Sequence, residues 1–314
     1  MLNRRFLRIK VLHILYAHSA KRAQGVEAAH KELIKSVQRT HDLFFYLLLL
    51  YTEVLKKTEE LIEIRRNKLT AGIEERMPNM RFVENTLAQM IRQHENFRRE
   101  VSNKKLSWLK DREVVSKLSR DLLDSEDYQV YINDEEPSFE TDKKFVKHFF
   151  EVILYNSEEL YAALEEKDIY WINDIDFIIK KIASFIDRIQ EGKSETLVFP
   201  AVYKKDDDRT FARDLLMKAI LNSKSYEDII EKQIVNWDIE RVTRTDRLIL
   251  LLAITEVIGF SSIPIKVSIN EYIEISKMYS SPKNAKFVNG VLDKTVNYLK
   301  ENELFNKTGR GLLE

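Results

Sequence analysis

Glycine and proline are scarce in this chain: 7 glycines and 5 prolines among 314 residues. Average usage is roughly 7% glycine and 5% proline. Phosphate-cradling loops and sheet-rich folds both consume glycine, whereas helix interiors reject both residue types. The prolines fall at Pro78, Pro137, Pro200, Pro264 and Pro282, where they mark element boundaries. Between them the apolar pattern is helical, and no strand-like alternation is sustained. A charged fraction of 32% in a chain rich in Leu, Ile, Lys and Glu agrees with this. The expected fold class is all-α. The length suits one large or two modest domains, enough to bury a core without staples.

Composition also excludes functions. Lys and Arg number 51, as do Asp and Glu, so the net charge is zero. A globally basic nucleic-acid binder is ruled out, though a local basic patch is not. The absence of cysteine excludes disulfides, thiolate metal sites and Cys nucleophiles. No glycine pattern fits a P-loop or a dinucleotide fingerprint. The histidines, at 13, 18, 30, 41, 94 and 148, lack metal-ligand spacing. Asp206-Asp207-Asp208 could hold a divalent cation but reads better as a solvated loop, as does Asp134-Glu135-Glu136. No nucleophile, metal or cofactor is expected, and the chain reads as a non-enzyme. The amino terminus superficially resembles a signal peptide, but Arg8, Lys10 and His13 interrupt its apolar stretch. The longest apolar run, Leu43 to Tyr51, is too short for a bilayer, which needs about 20 residues. It reads as a helix buried on several sides. The chain is expected to be soluble and cytoplasmic.

Leu7, Val11, Ile14 and Leu15 recur at helical spacing and define the apolar face of a first helix. A second long helical pattern runs from about Val26 to Asn67. An internal repeat follows. Phe82 to Trp108, Phe145 to Trp171 and Phe211 to Trp237 share one spacing, and they use every tryptophan in the chain. Between these anchors, Leu87, Phe150 and Leu216 correspond, as do Ile91, Leu154 and Ile220. Phe97, Leu160 and Tyr226 form a third set, and Val101, Leu164 and Ile230 a fourth. The first two sets lie one helical turn apart, as do the last two. Each copy therefore reads as helix, short turn, helix.

Residues 1–26 hold Arg4, Arg5, Arg8, Lys10, Lys21 and Arg22 and no acid. On a helix, Arg5, Arg8, Leu12 and Tyr16 share an arc beside the apolar face. That arc offers guanidiniums to phosphates and a ring for stacking on an unpaired base. A solvated basic helix end, with Tyr16 at the rim of the core, is the competing reading.

The carboxy-terminal third is more specific. It reads Ala253-Ile254-Thr255-Glu256-Val257 at the end of an apolar helix. There follows Ile263-Pro264-Ile265-Lys266-Val267-Ser268-Ile269-Asn270-Glu271-Tyr272-Ile273-Glu274-Ile275-Ser276-Lys277, then Lys286-Phe287-Val288-Asn289-Gly290-Val291-Leu292-Asp293-Lys294. These segments resemble the NusB family of transcription antitermination factors, whose pattern is Ala-x-x-Glu-Leu, x-Pro-x-Lys-Val-x-x-Asn-Glu-x-x-Glu-x-x-Lys and Lys-Phe-x-Asn-Gly-x-Leu-Asp-Lys. Arg4, Arg5, Arg8 and the Leu15-Tyr16 pair resemble the family's amino-terminal signature, and Phe211-Ala212-Arg213-Asp214-Leu215-Leu216 its mid-chain helix. The resemblance covers about residues 1–20 and 208–300, more diffusely 26–55. The length resembles the enlarged form of Bacteroidetes-type bacteria. The expected organisation is 1–59, amino-terminal helices; 60–207, a helical insertion with two repeat-like helix pairs; and 208–314, a NusB-like bundle.

The resemblance implies two three-helix bundles, enlarged here by the inserted helix pairs. It implies a non-catalytic factor that binds boxA RNA, chiefly of ribosomal RNA leaders. Its partners would be NusE, a small-subunit ribosomal protein, and the RNA polymerase antitermination complex. Matched to the family's RNA surface are Arg4, Arg5, Arg8, Tyr16, Tyr279, Lys286 and Phe287, with Lys283 standing where an acid is usual. Matched to its NusE surface are Glu240 and Asp246. Phe6, Ile9 and His13 depart from the usual arginine, glutamate and glutamine. Gly290 reads as a close-packing position, and Asn270 and Glu271 as helix-start and packing groups. Two other readings compete. One is the NusB-like domain that precedes some ribosomal RNA cytosine methyltransferases, which would need a cofactor domain with glycine-rich loops. The other is a helical scaffold that has lost its RNA role.

Overall fold

The computed structural model describes residues 1–20, 25–234 and 242–313. Lys21, Arg22, Trp237 and Glu240, singled out above, lie outside them. The described residues form helices and no strand; two isolated bridges, Leu2 with Tyr203 and Gln190 with Lys193, are the sole β-type pairings among them. The chain divides into two compact units, Met1–Val37 with Val202–Glu314, and Gln38–Ala201. These bounds differ from 59/60 and 207/208, the divisions read from the sequence; one helix, residues 26–66, spans both 37/38 and 59/60, so the first division falls inside a helix rather than at a loop.

In the first unit, α1 (Arg4–Ala20) buries the expected face of Leu7, Val11, Ile14 and Leu15. The long helix α2 (Val26–Arg66) begins in this unit and ends one residue short of the expected pattern. Its central run, Leu43 to Tyr51, is buried almost all round, as a helix without a polar face must be.

The second unit contains the rest of α2. It continues with α3 (Ile73–Arg76), α4 (Thr86–Gln93), α5 (Glu95–Asn103), α6 (Arg112–Leu123) and α7 (Glu126–Ile132). Then come α8 (Phe139–His148), which runs into a π-helical stretch over Phe149–Leu154, α9 (Glu158–Lys167) and α10 (Ile175–Asp187). Two of the proposed repeat copies fall here. The first spans α4 and α5, and the second spans α8 with its π-helical extension and α9, so each is a helix, a turn and a helix. Both end on α2. The Trp108 indole lies 4.1 Å from the Tyr46 ring, nearly parallel, and Trp171 lies 4.9 Å from the same ring. Trp108 donates its indole N–H to the Tyr46 carbonyl at 3.0 Å, and Trp171 donates to the Arg39 carbonyl at 2.9 Å. Those carbonyls are two turns apart on one stripe of α2. Lys167 adds its ammonium, 4.7 Å from the Tyr46 ring, and bonds Asp111 at 2.6 Å.

The first unit resumes with α11 (Asp206–Leu221), α12 (Ser223–Gln233), α13 (Arg244–Gly259), α14 (Ile265–Tyr279) and α15 (Pro282–Glu301). The third repeat copy spans α11 and α12, and its tryptophan is beyond the described residues. Helices α13, α14 and α15 pack against one another, and so do α1, α11 and α13. Helix α13 therefore belongs to both triplets, which explains why Leu248 to Val257 are buried without a polar stripe. Pro264 caps α14 and Pro282 opens α15, where a missing N–H costs nothing.

Two sequence readings are corrected. Asp206-Asp207-Asp208 is not a loop but the first turn of α11, where carboxylates complement the helix dipole. Asn270 and Glu271 lie mid-helix in α14, not at its start.

Candidate nucleic-acid interface

Each arginine of α1 meets a carboxylate from elsewhere in the first unit. Arg4 donates to Asp208 at 3.0 Å. Arg5 makes a two-pronged contact with Glu271, both bonds 2.8 Å. Arg8 makes another with Glu256, both 2.7 Å, and reaches Glu271 at 3.5 Å. Arg4 and Arg8 also lie over the Phe211 ring, at 4.9 and 5.2 Å. The absence of acids near these arginines in sequence does not leave them unneutralised, because the fold supplies α11, α13 and α14.

Arg8 is only 3% exposed and Glu256 is fully buried. Glu256 also accepts from Ser268 Oγ at 2.8 Å and Tyr272 OH at 3.1 Å, so its charge is fully hydrogen-bonded. Burial pulls the Arg8 guanidinium down, but the hydrogen bonds and charge of Glu256 outweigh it, and the net direction is up. The Arg5 hydrogen bonds hold the Glu271 carboxyl below its ordinary range. The RNA-contact role read for Arg8 is therefore corrected: its donors are committed inside the protein. Arg4 and Arg5 remain partly exposed, but as members of ion pairs.

Phe287 needs the same correction. It is 8% exposed, on the buried side of α15 with Val288, Val291 and Leu292. A base cannot stack on a ring that already belongs to the core. Asp246 is fully buried. Its carboxylate accepts from Thr243 Oγ1 at 2.7 Å, Asn284 Nδ2 at 2.9 Å and the Ser280 hydroxyl. It thus ties the start of α13 to the turn between α14 and α15, and has no face to offer a partner. Glu240, its companion in the sequence reading, is outside the described residues.

The remaining predicted residues lie at the surface. Tyr16 is 45% exposed and Tyr279 36%. Lys283 and Lys286 are exposed on the first turns of α15, and no ion pair engages either among the described residues. His13 joins α1 to this edge: its Nε2 lies 3.0 Å from the Tyr279 hydroxyl, and the rings meet edge-on at 5.3 Å. Burial, helped by the charge of Lys10, lowers its pKa to about 4, so at neutral pH it is a neutral aromatic. His13 and Tyr16 are neighbours on α1, one turn apart. Tyr16, His13 and Tyr279 thus form a continuous aromatic edge, with Lys283 and Lys286 following Tyr279 in the chain.

One residue of this edge escaped the sequence reading. Arg244, at the start of α13, is exposed and holds its guanidinium 5.0 Å from the Tyr16 ring. Two hydrogen bonds to Ser19 Oγ, at 3.1 and 2.7 Å, fix it there. It is far from α1 in sequence, and its only local signal was a basic residue at a helix start, where the dipole disfavours one. The described residues contain no His, Asp and Glu cluster able to hold a metal, and no helix long and apolar enough to cross a membrane.

Residues 172–297 match the NusB family, a span running from just before α10 into α15. A transcription antitermination protein NusB of Salinibacter ruber is 43% identical over 105 residues, covering 33% of this chain and 66% of that protein. The NusB of Chloroherpeton thalassium is 36% identical over 129 residues, 41% of this chain and 59% of that protein. The NusB of Alkaliphilus oremlandii is 39% identical over 92 residues, 29% of this chain and 67% of that protein. The chain therefore spans 66% and 59% of the length of the first two. No solved structure matches.

Proposed function

The chain belongs to the NusB family, and on that premise we propose that it is a non-catalytic, RNA-binding transcription antitermination factor of the cytoplasm. In this reading it binds boxA RNA together with NusE and supports read-through by RNA polymerase, chiefly of ribosomal RNA operons. The observation that carries the reading is the edge formed by Tyr16, Arg244 and Tyr279 beside Lys283 and Lys286. Exposed rings suit stacking on unpaired bases, and unpaired cations suit phosphates. The guanidinium held over Tyr16 extends the stacking surface in the way that arginine planes serve bases. Arg4 and Arg5 contribute by exchanging a carboxylate for a phosphate. Glu240 is the acidic position assigned to NusE.

Fluorescence anisotropy with labelled boxA RNA, with and without NusE, tests this. Arg244→Ala and Tyr279→Ala should each weaken binding by about 1–3 kcal/mol if they stack on bases. Lys286→Gln should lower the salt slope by about 0.7, the value for one single-strand phosphate contact. Thermal melting should change little, since these side chains are exposed. Unaltered affinity and slope in all three variants would place the RNA elsewhere.

A further inference from the structure

The second unit carries two adjoining clefts. One, of about 580 Å³, is bounded by α2, the segment 106–109 and α6. The other, of about 650 Å³, is bounded by α2, the end of α4 and α5. Leu49, Glu53, Val101, Leu106 and Ser107 line both, so the two form one trough. Its floor is apolar, made by Leu49, Val101 and Leu106, with Leu109 exposed at one end. Its rim carries Lys56, Arg92, Arg98, Lys105 and Arg112, all exposed. Among the described residues no ion pair engages any of these five. Lys57 is paired with Glu60 at 3.0 Å, which leaves Glu53 as the trough's one unpaired carboxylate among the described residues.

That pattern is the reverse of α1. There, every arginine has an acid; here, five unpaired cations face one unpaired acid among the described residues, in a chain of zero net charge. A free guanidinium or ammonium at the rim is available to an external anion without first breaking an internal pair.

We infer that this trough is a second binding site for single-stranded RNA, built into the Gln38–Ala201 unit. The inference rests on the RNA-binding reading of the first unit and extends it. Single-strand grooves combine a cationic rim that follows the phosphates with an apolar floor on which bases lie. The trough has both parts, and each cleft has the volume of a small-molecule pocket, enough for a base with its sugar. Duplex RNA keeps its bases stacked inside and would leave the floor unused. An acidic polypeptide would satisfy the rim but sets a flat ring on the floor only where it carries an aromatic residue, whereas every nucleotide carries one. Single-stranded RNA uses both.

The test is ultraviolet crosslinking of the full-length chain to a 4-thiouridine-substituted oligouridylate, with the attached peptides mapped by mass spectrometry. The RNA should be about 20 nucleotides long, longer than the roughly 4–16 covered by one single-strand domain. Two variants are compared with the unaltered chain. One combines Lys56→Gln, Arg98→Gln and Lys105→Gln; the other combines Arg244→Ala and Lys286→Ala. The exposed positions should leave the helical circular dichroism of both unchanged. Crosslinks are expected within residues 92–112 as well as in α1 and α15. The triple variant should lose the former and keep the latter, with its salt slope reduced by about 2 for three lost phosphate contacts. The double variant should do the opposite. Crosslinks confined to α1 and α15, with the triple variant's affinity and slope unchanged, would overturn the trough and leave the RNA reading standing. No crosslink anywhere would remove both. Capture of polyglutamate that is lost in the triple variant, without RNA crosslinks in 92–112, would overturn the proposal in favour of an acidic protein partner.

Discussion

At the scale of single residues, Arg8 and Glu256 divide what can be read locally from what cannot. Neither has an opposite charge near it in sequence, yet they form a buried two-pronged pair. Arg8→Ala should therefore destabilise the fold by roughly 3–5 kcal/mol, because Glu256 is left charged and buried with fewer donors. Adding Glu256→Gln should recover a large part of that loss. The amide oxygen still accepts from Ser268 or Tyr272, and no charge remains to be compensated. Urea denaturation of the single and double variants measures both effects. A mild loss in Arg8→Ala would mean that the pair opens to water. The sequence marked Arg8 as basic and helical but could not supply its partner: Glu256 lies on α13, and only packing brings it to α1. The same limit explains Phe287, whose burial depends on which face of α15 the neighbouring helices cover. Tyr16 and Tyr279 stay at the surface, but no spacing rule would have joined Arg244 to Tyr16.

Helices were the most legible level, because their 3.6-residue period is written locally. The apolar face of α1 and both ends of α2 follow from it. The tryptophan spacing was legible too, but its physical meaning was not. Trp108 and Trp171 meet at one ring, Tyr46, and both anchor to the backbone of α2. Close by on α2, His41 carries a testable consequence. Lys104 donates to its Nδ1 at 2.7 Å, and its Nε2 donates to the Pro200 carbonyl at 2.9 Å. This arrangement requires a neutral ring. Burial, followed by the Lys104 charge, lowers the pKa from 6.5 to about 4, against the opposing pull of Pro200, Asp42 and Glu100. Above pH 6.5 neither the folded nor the unfolded state binds this proton, and His41 has no pH effect. Between 6.5 and 4 the unfolded chain takes it up first, so stability falls as pH falls. Below about 4 the loss levels off, at about 3 kcal/mol for a shift of this size. Denaturation midpoints measured from pH 7 to pH 4 should fall less steeply in His41→Gln. Equal slopes in the two proteins would show that the ring is not held neutral.

Over the whole molecule, the division at Val37 and Ala201 raises the question of whether the second unit is an ornament on a NusB fold or a folding unit of its own. Its interior argues for the latter. Tyr46, Tyr51, Phe82, Phe149, Phe150 and Phe185 are all buried within Gln38–Ala201. Tyr51 meets Phe82, Phe149 and Phe150 with ring centroids 4.9 to 6.2 Å apart. Polar ties close the same unit: Thr40 donates to the buried Asp174 at 2.6 Å, and Arg81 reaches the Tyr131 carbonyl at 2.6 Å. The sequence displayed the apolar run of α2 and the paired helices, but not that the run would be their common core, since that depends on contacts across more than a hundred residues. A fragment of residues 38–201 should accordingly fold alone. Its far-ultraviolet circular dichroism should be helical and melt in one cooperative transition. Its near-ultraviolet spectrum should be strong, because two indoles are held against one tyrosine ring. A fragment with helical signal but no near-ultraviolet band, binding a hydrophobic dye, would be a molten globule. The core would then depend on the rest of the chain, and the second unit would be an extension of the first rather than a domain.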